Sequence, residues 1–200
     1  MYMIYLGEVA QIPFMNKSEI ASKAEGLLNE CWDGVFPIDI EKLCDYLKIA
    51  ILPVAGLADN FRIDAFISTD FKTIYADAEK YRCENHRYRF SVAHELGHYI
   101  LHREYFSSRV WSFEEWKDLS DSGVSRVAEF QANYFAGSLL APEGALLAML
   151  NTGFGGSFAK NYFTTGSKEL KNMLTSLQKL FNVSKEVVSR RIQDTVYGLN

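Results

Sequence analysis

Apolar residues recur at helical spacing in two stretches near the start of the chain. From Asn16 to Trp32 they fall at Ile20, Ala21, Ala24, Leu27, Leu28 and Cys31, one face of a helix with Asn16 as its natural cap. Pro37 opens a second predicted helix, Ile38 to Leu47, with Ile40, Leu43, Cys44 and Leu47 on one face. The pattern then changes. Ala50 to Val54, Phe61 to Ser68 and Thr73 to Ala76 read as strands, and Asp70 to Lys72 as the turn of a hairpin between the last two. From about Glu84 to His102 a proline-free stretch returns to helix. Phe90, Val92, Ala93, Leu96, Gly97, Ile100 and Leu101 make it apolar enough to be buried.

Tyr105 to Ser122 has no period, with Phe106, Trp111, Phe113 and Trp116 spread through it. Asp121 or Ser122 then opens a helix that packs through Ala128, Ala132, Phe135, Ala136 and Leu139. It stops at Ala141-Pro142, because the residue before a proline disfavours the helical region. A short helix follows and ends in the loose stretch Asn151 to Ser157, which holds three glycines and is the best domain boundary. Two more helices are predicted, about Lys168 to Phe181 and Ser184 to Val196. Ser184 caps the second, but Val187 at its third position completes no capping box. The expected class is α+β, mainly helical with a small, about three-stranded sheet. The expected division is a main domain at 1–152 and a C-terminal helical hairpin at 153–200. No internal repeat or low-complexity segment interrupts it.

Composition narrows the function classes. At 48% hydrophobic and 23% charged the chain is an ordinary globular protein, long enough to bury a core without staples. A net charge of -4 gives no general basic field for nucleic acid or anionic lipid. Cys31, Cys44 and Cys83 are odd in number and lack a C-x-x-C, which fits free thiols in a reducing compartment. Cys83 and His86 form an isolated C-x-x-H with no second pair nearby, so ordinary packing explains them best. No run approaches the ~20 apolar residues of a membrane span, and the first residues lack the basic start of a signal peptide. The expectation is a soluble, cytoplasmic protein.

The chemistry is concentrated in Phe90-Ser-Val-Ala-His94-Glu95-Leu-Gly-His98, which contains H-E-x-x-H. Histidines four apart sit one turn apart on the same helix face and can reach one metal ion, with Glu95 within reach of a water held there. A tetrahedral catalytic zinc needs a third protein ligand. Glu129, 31 residues after His98, is the sole carboxylate between Asp121 and Glu143, beside the face that packs inward. A lone acid buried there costs several kcal/mol without a partner. Read apart from the motif, Glu129 is a solvated edge residue; read with it, a ligand. Asn133, one turn later, can hydrogen-bond a ligating histidine or Glu129. His102, eight residues after His94, fits a structural hydrogen-bonding role better than a fourth ligand. Tyr134, Tyr105 and His102 are candidate donors to a developing oxyanion.

Arg89-Phe-Ser-Val-Ala-His-Glu-Leu-Gly-His-Tyr-Ile-Leu-His102, followed by Glu129-Phe-Gln-Ala-Asn-Tyr-Phe-Ala-Gly-Ser-Leu-Leu-Ala-Pro142, resembles the ImmA/IrrE family of metallo-endopeptidases. Pro37 to Leu47, Ile74 to Asp77 and Leu180 to Ile192 look like that family too, so the likeness covers most of residues 18 to 195. It implies a zincin-like core with the sheet beside the H-E-x-x-H helix. It implies one Zn2+ held by His94, His98 and Glu129, with Glu95 as general base. Two departures stand out. Gln131 occupies a position where the family often has a second acid, which favours Glu129 as the ligand. Many members also carry an N-terminal helix-turn-helix domain for which this chain has no room, so a DNA-bound partner is expected to be a separate protein.

The expected activity is zinc-dependent hydrolysis of a peptide bond, with Glu95 taking a proton from water and delivering it to the leaving amine. The resemblance implies a helix-turn-helix repressor of a prophage or mobile element as the protein substrate. A second reading keeps the zinc fold but acts by binding a repressor or antitoxin without turnover. A third, direct DNA binding through Leu170 to Ile192 with Lys185, Arg190 and Arg191, is disfavoured by the acidic whole.

Overall fold

The structure is a computed structural model, and it describes residues 12–83, 85–106, 123–154 and 167–197. The chain opens with α1 (Lys17–Cys31), where Asn16 and Glu19 complete a capping box: each side chain accepts the other's backbone N–H. Its face of Ile20, Ala21, Ala24, Leu27 and Leu28 is buried as the spacing predicts. The second helix, α2 (Ile40–Tyr46), starts later than Pro37. Asp39 is its cap, accepting from the N–H groups of Glu41 and Lys42, so the preceding Pro37 and Ile38 stay outside the helix.

Three strands follow: β1 (Ala50–Val54), β2 (Ala65–Ile67) and β3 (Thr73–Asp77). They form one sheet in the order β1-β3-β2, with β1 parallel to β3 and β2 antiparallel to it. Phe66 stacks on its cross-strand partner Tyr75 at 4.9 Å between ring centroids, which pins the hairpin register. Asp70 shapes the predicted turn, accepting from Ser68 Oγ and Lys72 N. The strand expected at Phe61 to Ser68 is shorter, because Leu57–Phe61 forms a helix, α3. The cause is distant in sequence. The Asp77 carboxylate accepts the N–H of Ala58 while also capping the next helix, α4 (Ala78–Cys83), through Glu79 N and Lys80 N.

The long helix α5 (Asn85–Phe106) carries H-E-x-x-H and is buried against β2 and β3 on one side and α6 (Gly123–Leu140) on the other. It outruns the predicted His102 by four residues. α6 also packs on α1, and its Ala132, Phe135, Ala136, Leu139 and Leu140 are wholly buried at the centre of the core. Past Pro142 lies α7 (Glu143–Phe154), so Asn151 to Phe154 are helical where a loose stretch was expected. Gly155, Gly156 and Ser157 lie outside the described residues, as do Trp111, Phe113, Trp116, Asp121 and Ser122.

The last two helices are α8 (Ser167–Phe181) and α9 (Lys185–Tyr197). Met173, Leu177, Phe181, Val188 and Ile192 join the main core rather than a separate one. Ser184 caps α9 through Val187 N, without a capping box, as the sequence predicts. Two buried arginines tie the ends of the chain together. Arg89 donates to the carbonyls of Ile38 and Asn182, and Arg191 to the carbonyl of Ala141 and the hydroxyl of Tyr134. No helix among the described residues is long and apolar enough to cross a membrane.

Candidate metal centre

The centre exists because α5 and α6 come unusually close. Gly97, between the two histidines, faces the backbone of Ala132; a Cβ on Gly97 would stand 2.9 Å from Ala132 Cα. The missing side chain lets Glu129, three residues before Ala132, reach the α5 face that carries His94 and His98. Glu129 Oε2 is 3.1 Å from His94 Nε2, Glu129 Oε1 is 3.3 Å from His98 Nε2, and the two imidazole nitrogens are 3.0 Å apart. Among the described residues these three form the one group of histidine, cysteine and acid side chains that could hold a metal ion. Spacings of 3.0–3.3 Å are close to the ~3.3 Å edge of a tetrahedron with bonds of ~2.0 Å, the size zinc prefers. The donor set of two imidazoles and a carboxylate suits the same kind of ion.

Each histidine is braced from behind. His94 Nδ1 lies 3.2 Å from Asn133 Oδ1, and His98 Nδ1 lies 3.1 Å from His102 Nδ1. His102 Nε2 is in turn 2.8 Å from Gln131 Oε1, and the Gln131 amide nitrogen donates to the Pro13 carbonyl at 2.9 Å. Such outer contacts orient metal-binding imidazoles and fix which nitrogen carries the proton. Burial, reinforced by the nearby His98, holds His102 down at about 4, so it is neutral at pH 7. Burial alone would raise the Glu129 carboxyl, but hydrogen bonds with His94 and His98 overcome it and hold Glu129 well below the usual carboxylate range. Burial also works against a charged His94, and the Glu129 contact outweighs it and raises that imidazole. The contacts therefore favour an ionised Glu129 beside two imidazoles.

Glu95 points to the sheet side. Its Oε2 accepts the backbone N–H of Ile67 at 2.9 Å, and only 6% of the residue is exposed. Burial pushes its carboxyl above the ordinary range, against the pull of His94 and His98. That combination makes a held carboxylate with a raised affinity for a proton. The Ile67 contact had no signal in the sequence, since any residue offers a backbone N–H. Gln131 showed in the sequence only as a departure, standing where the family it resembles often has an acid.

The Tyr134 hydroxyl accepts from Arg191, and the cations of Lys17 and Arg191 lie 5.7 Å and 5.5 Å from its ring centroid. Tyr105 sits near the end of α5, about 10 Å along the axis beyond His98. Cys83 is exposed and belongs to no metal-binding group among the described residues. A cleft of about 550 Å3 is lined by Asn133, Phe90, Phe130, Tyr134 and several charged residues of α9, but by none of His94, Glu95, His98 and Glu129. Of the basic residues considered for DNA contact, Arg191 is buried and Arg190 is paired with Glu186.

Comparison with known proteins agrees with this geometry. No curated protein sequence matches the chain. Among solved structures, a Mycobacterium tuberculosis transcriptional regulator shares the fold at a TM-score of 0.53 and 16% identity, over 88% of this chain and 46% of that one. The chain thus spans about half the length of that regulator. Residues 81–193, which include all three candidate ligands and Glu95, match the peptidase M78 family, described as the IrrE N-terminal-like domain. The helix that carries His94, Glu95 and His98, and the one that brings Glu129 to them, are those of a metallopeptidase-type domain, and the chain belongs to the IrrE N-terminal-like (peptidase M78) family.

Proposed function

We propose that the protein is a zinc-dependent endopeptidase that cuts a peptide bond in one protein partner, a helix-turn-helix repressor encoded near it. The observation that carries this reading is the convergence of His94, His98 and Glu129 with Glu95 held beside them by Ile67. His94, His98 and Glu129 would hold one Zn2+. When bound, that ion supplies Lewis acidity, making water a better acid and a carbonyl a better electrophile.

The chain's own residues do the rest. Glu95, held by the Ile67 N–H, takes a proton from the attacking water on its carboxylate. The same carboxyl then gives it to the amine that leaves as the C–N bond breaks. Water is consumed, and a carboxylate and an amine are released. Asn133 keeps His94 turned towards the centre. Tyr134, which accepts a hydrogen bond from Arg191, is read as a structural residue here, and Tyr105 stays a candidate oxyanion donor. The free thiols and the lack of a spanning helix among the described residues fit a cytoplasmic site of action. The C-terminal hairpin, α8 and α9, is read as packed on the main domain, its Phe181, Val188 and Ile192 sharing that domain's core.

Glu95→Gln tests the reading. The zinc-loaded wild type should cut the neighbouring repressor into two defined fragments. The variant should bind the same zinc and the same repressor, yet cut at least about 100-fold more slowly. Cleavage at the wild-type rate would overturn the assignment of Glu95. Full regulatory function in the variant would favour the non-catalytic reading, in which the zinc fold only binds a repressor or antitoxin.

A further inference from the structure

We propose that the cleft between α1, α5, α6 and α9 is a binding site for an acidic segment of a partner protein, with Arg191 as the cation that takes one of its carboxylates. The site stands apart from the metal centre, whose four residues do not line it.

The charge of the cleft runs against that of the molecule. The chain carries a net charge of -4, yet Lys17, Arg87, Arg190 and Arg191 line the cleft, with Glu186 and Asp194 as its acids. Three of the cations are already matched. Lys17 pairs with Asp194 at 2.7 Å, Arg87 with Asp64 at 2.7 Å and Arg190 with Glu186 at 2.8 Å. Arg191 has no carboxylate partner among the described residues, although it is only 3% exposed. A buried cation without a counter-ion costs several kcal/mol, so this one calls for an anion.

Neutral groups hold Arg191 in place meanwhile. Its Nε donates to the Ala141 carbonyl and its Nη1 to the Tyr134 hydroxyl, both at 3.2 Å. Those two bonds fix the plane of the fork and leave Nη2 a buried donor without a partner. A carboxylate fits that arm, since it accepts the open N–H and neutralises the charge. Nη2 is shut off from water, so the carboxylate reaches it when a lining side chain turns aside, a common change at interfaces. The lining also holds Phe90, Val187 and Phe130, the last 44% exposed. Apolar neighbours strengthen a charge pair by lowering the local dielectric, and they favour a peptide over a free ion. One open cation beside two acids is a poor match for a nucleic-acid backbone, which is held by several cations at once.

The test passes a pool of random-sequence decapeptides over immobilised protein with zinc chelated, and reads the retained peptides by mass spectrometry. The acidic chain as a whole repels acidic peptides, so their enrichment requires a local site. Retained peptides should be at least about 3-fold richer in aspartate and glutamate than the input. Gln193→Glu adds a negative charge at an exposed position of the cleft lining and should abolish most of that enrichment with the fold intact. Arg191→Lys should abolish it too, because an ammonium keeps the charge and loses the fork. If Arg191→Lys does not fold, Gln193→Glu decides. No enrichment on wild type, or equal enrichment on wild type and Gln193→Glu, would overturn the proposal. So would displacement of the retained peptides by a thymidine oligonucleotide, which would assign the cation to phosphate. Because zinc is absent throughout, a failure of the metal centre or of cleavage leaves this result standing.

Discussion

Asp77 shows how one side chain can organise two elements. Its carboxylate accepts the N–H groups of Ala58, Glu79 and Lys80 at 2.9–3.1 Å, closing α3 onto the sheet and capping α4. Burial would raise this acid, but the three backbone donors prevail and lower it. The folded carboxyl thus ionises at lower pH than the ordinary value of about 3.9 in the unfolded chain. Its stabilisation is complete above the unfolded value and is lost as pH falls through the folded one. Asp77→Asn should cost about 1 kcal/mol at neutral pH and flatten the acid side of the stability curve. Urea unfolding from pH 7 to pH 3 measures both; parallel curves for the two proteins would contradict this role. Much of the centre was legible at this scale. His94, Glu95 and His98 declared themselves by spacing, and Glu129 by standing alone beside an apolar face. Ile67 was not legible, because its role belongs to a backbone N–H placed by the sheet. Gln131 was visible only as the residue that was not an acid; its partners lie 29 and 118 positions away in the chain.

Elements were predicted best where local chemistry decides them. α1, β1 and β3 follow from spacing, caps and turns that neighbouring residues control. Prediction failed at α3, where a residue far along the chain supplies the N-terminal hydrogen bond, and at α2, where Asp39 rather than Pro37 makes the start. The α5–α6 approach is the element-level feature on which the centre depends. Gly97→Ala would drive a methyl into the Ala132 backbone, so the helices must separate. A loss of about 1–3 kcal/mol and weaker zinc binding are expected together. Gly26→Ala, in α1 with nothing within 4 Å of the new methyl, should instead stabilise by about 0.5–1 kcal/mol. Thermal melts and chelator competition on the two variants separate the effects. A Gly97→Ala protein that keeps wild-type stability and zinc affinity would show that the close contact is dispensable.

At the scale of the molecule, the fold sets the polar centre between α5 and α6, beside a largely apolar core. α6 lies between α1 and α5, the sheet covers the far side of α5, and α9 reaches back through Arg191 to the end of α6. This arrangement was anticipated as mainly helical with a small sheet, and the family match covers most of the elements that build the centre. The central claim is that His94, His98 and Glu129 together hold one metal ion. The direct measurement is the zinc bound per chain after equilibration with excess zinc and gel filtration, for wild type and for folded His98→Ala and Glu129→Ala variants. The account predicts one zinc per wild-type chain and little or none in either variant. A wild type that retains no zinc, or variants that retain as much as wild type, would contradict it.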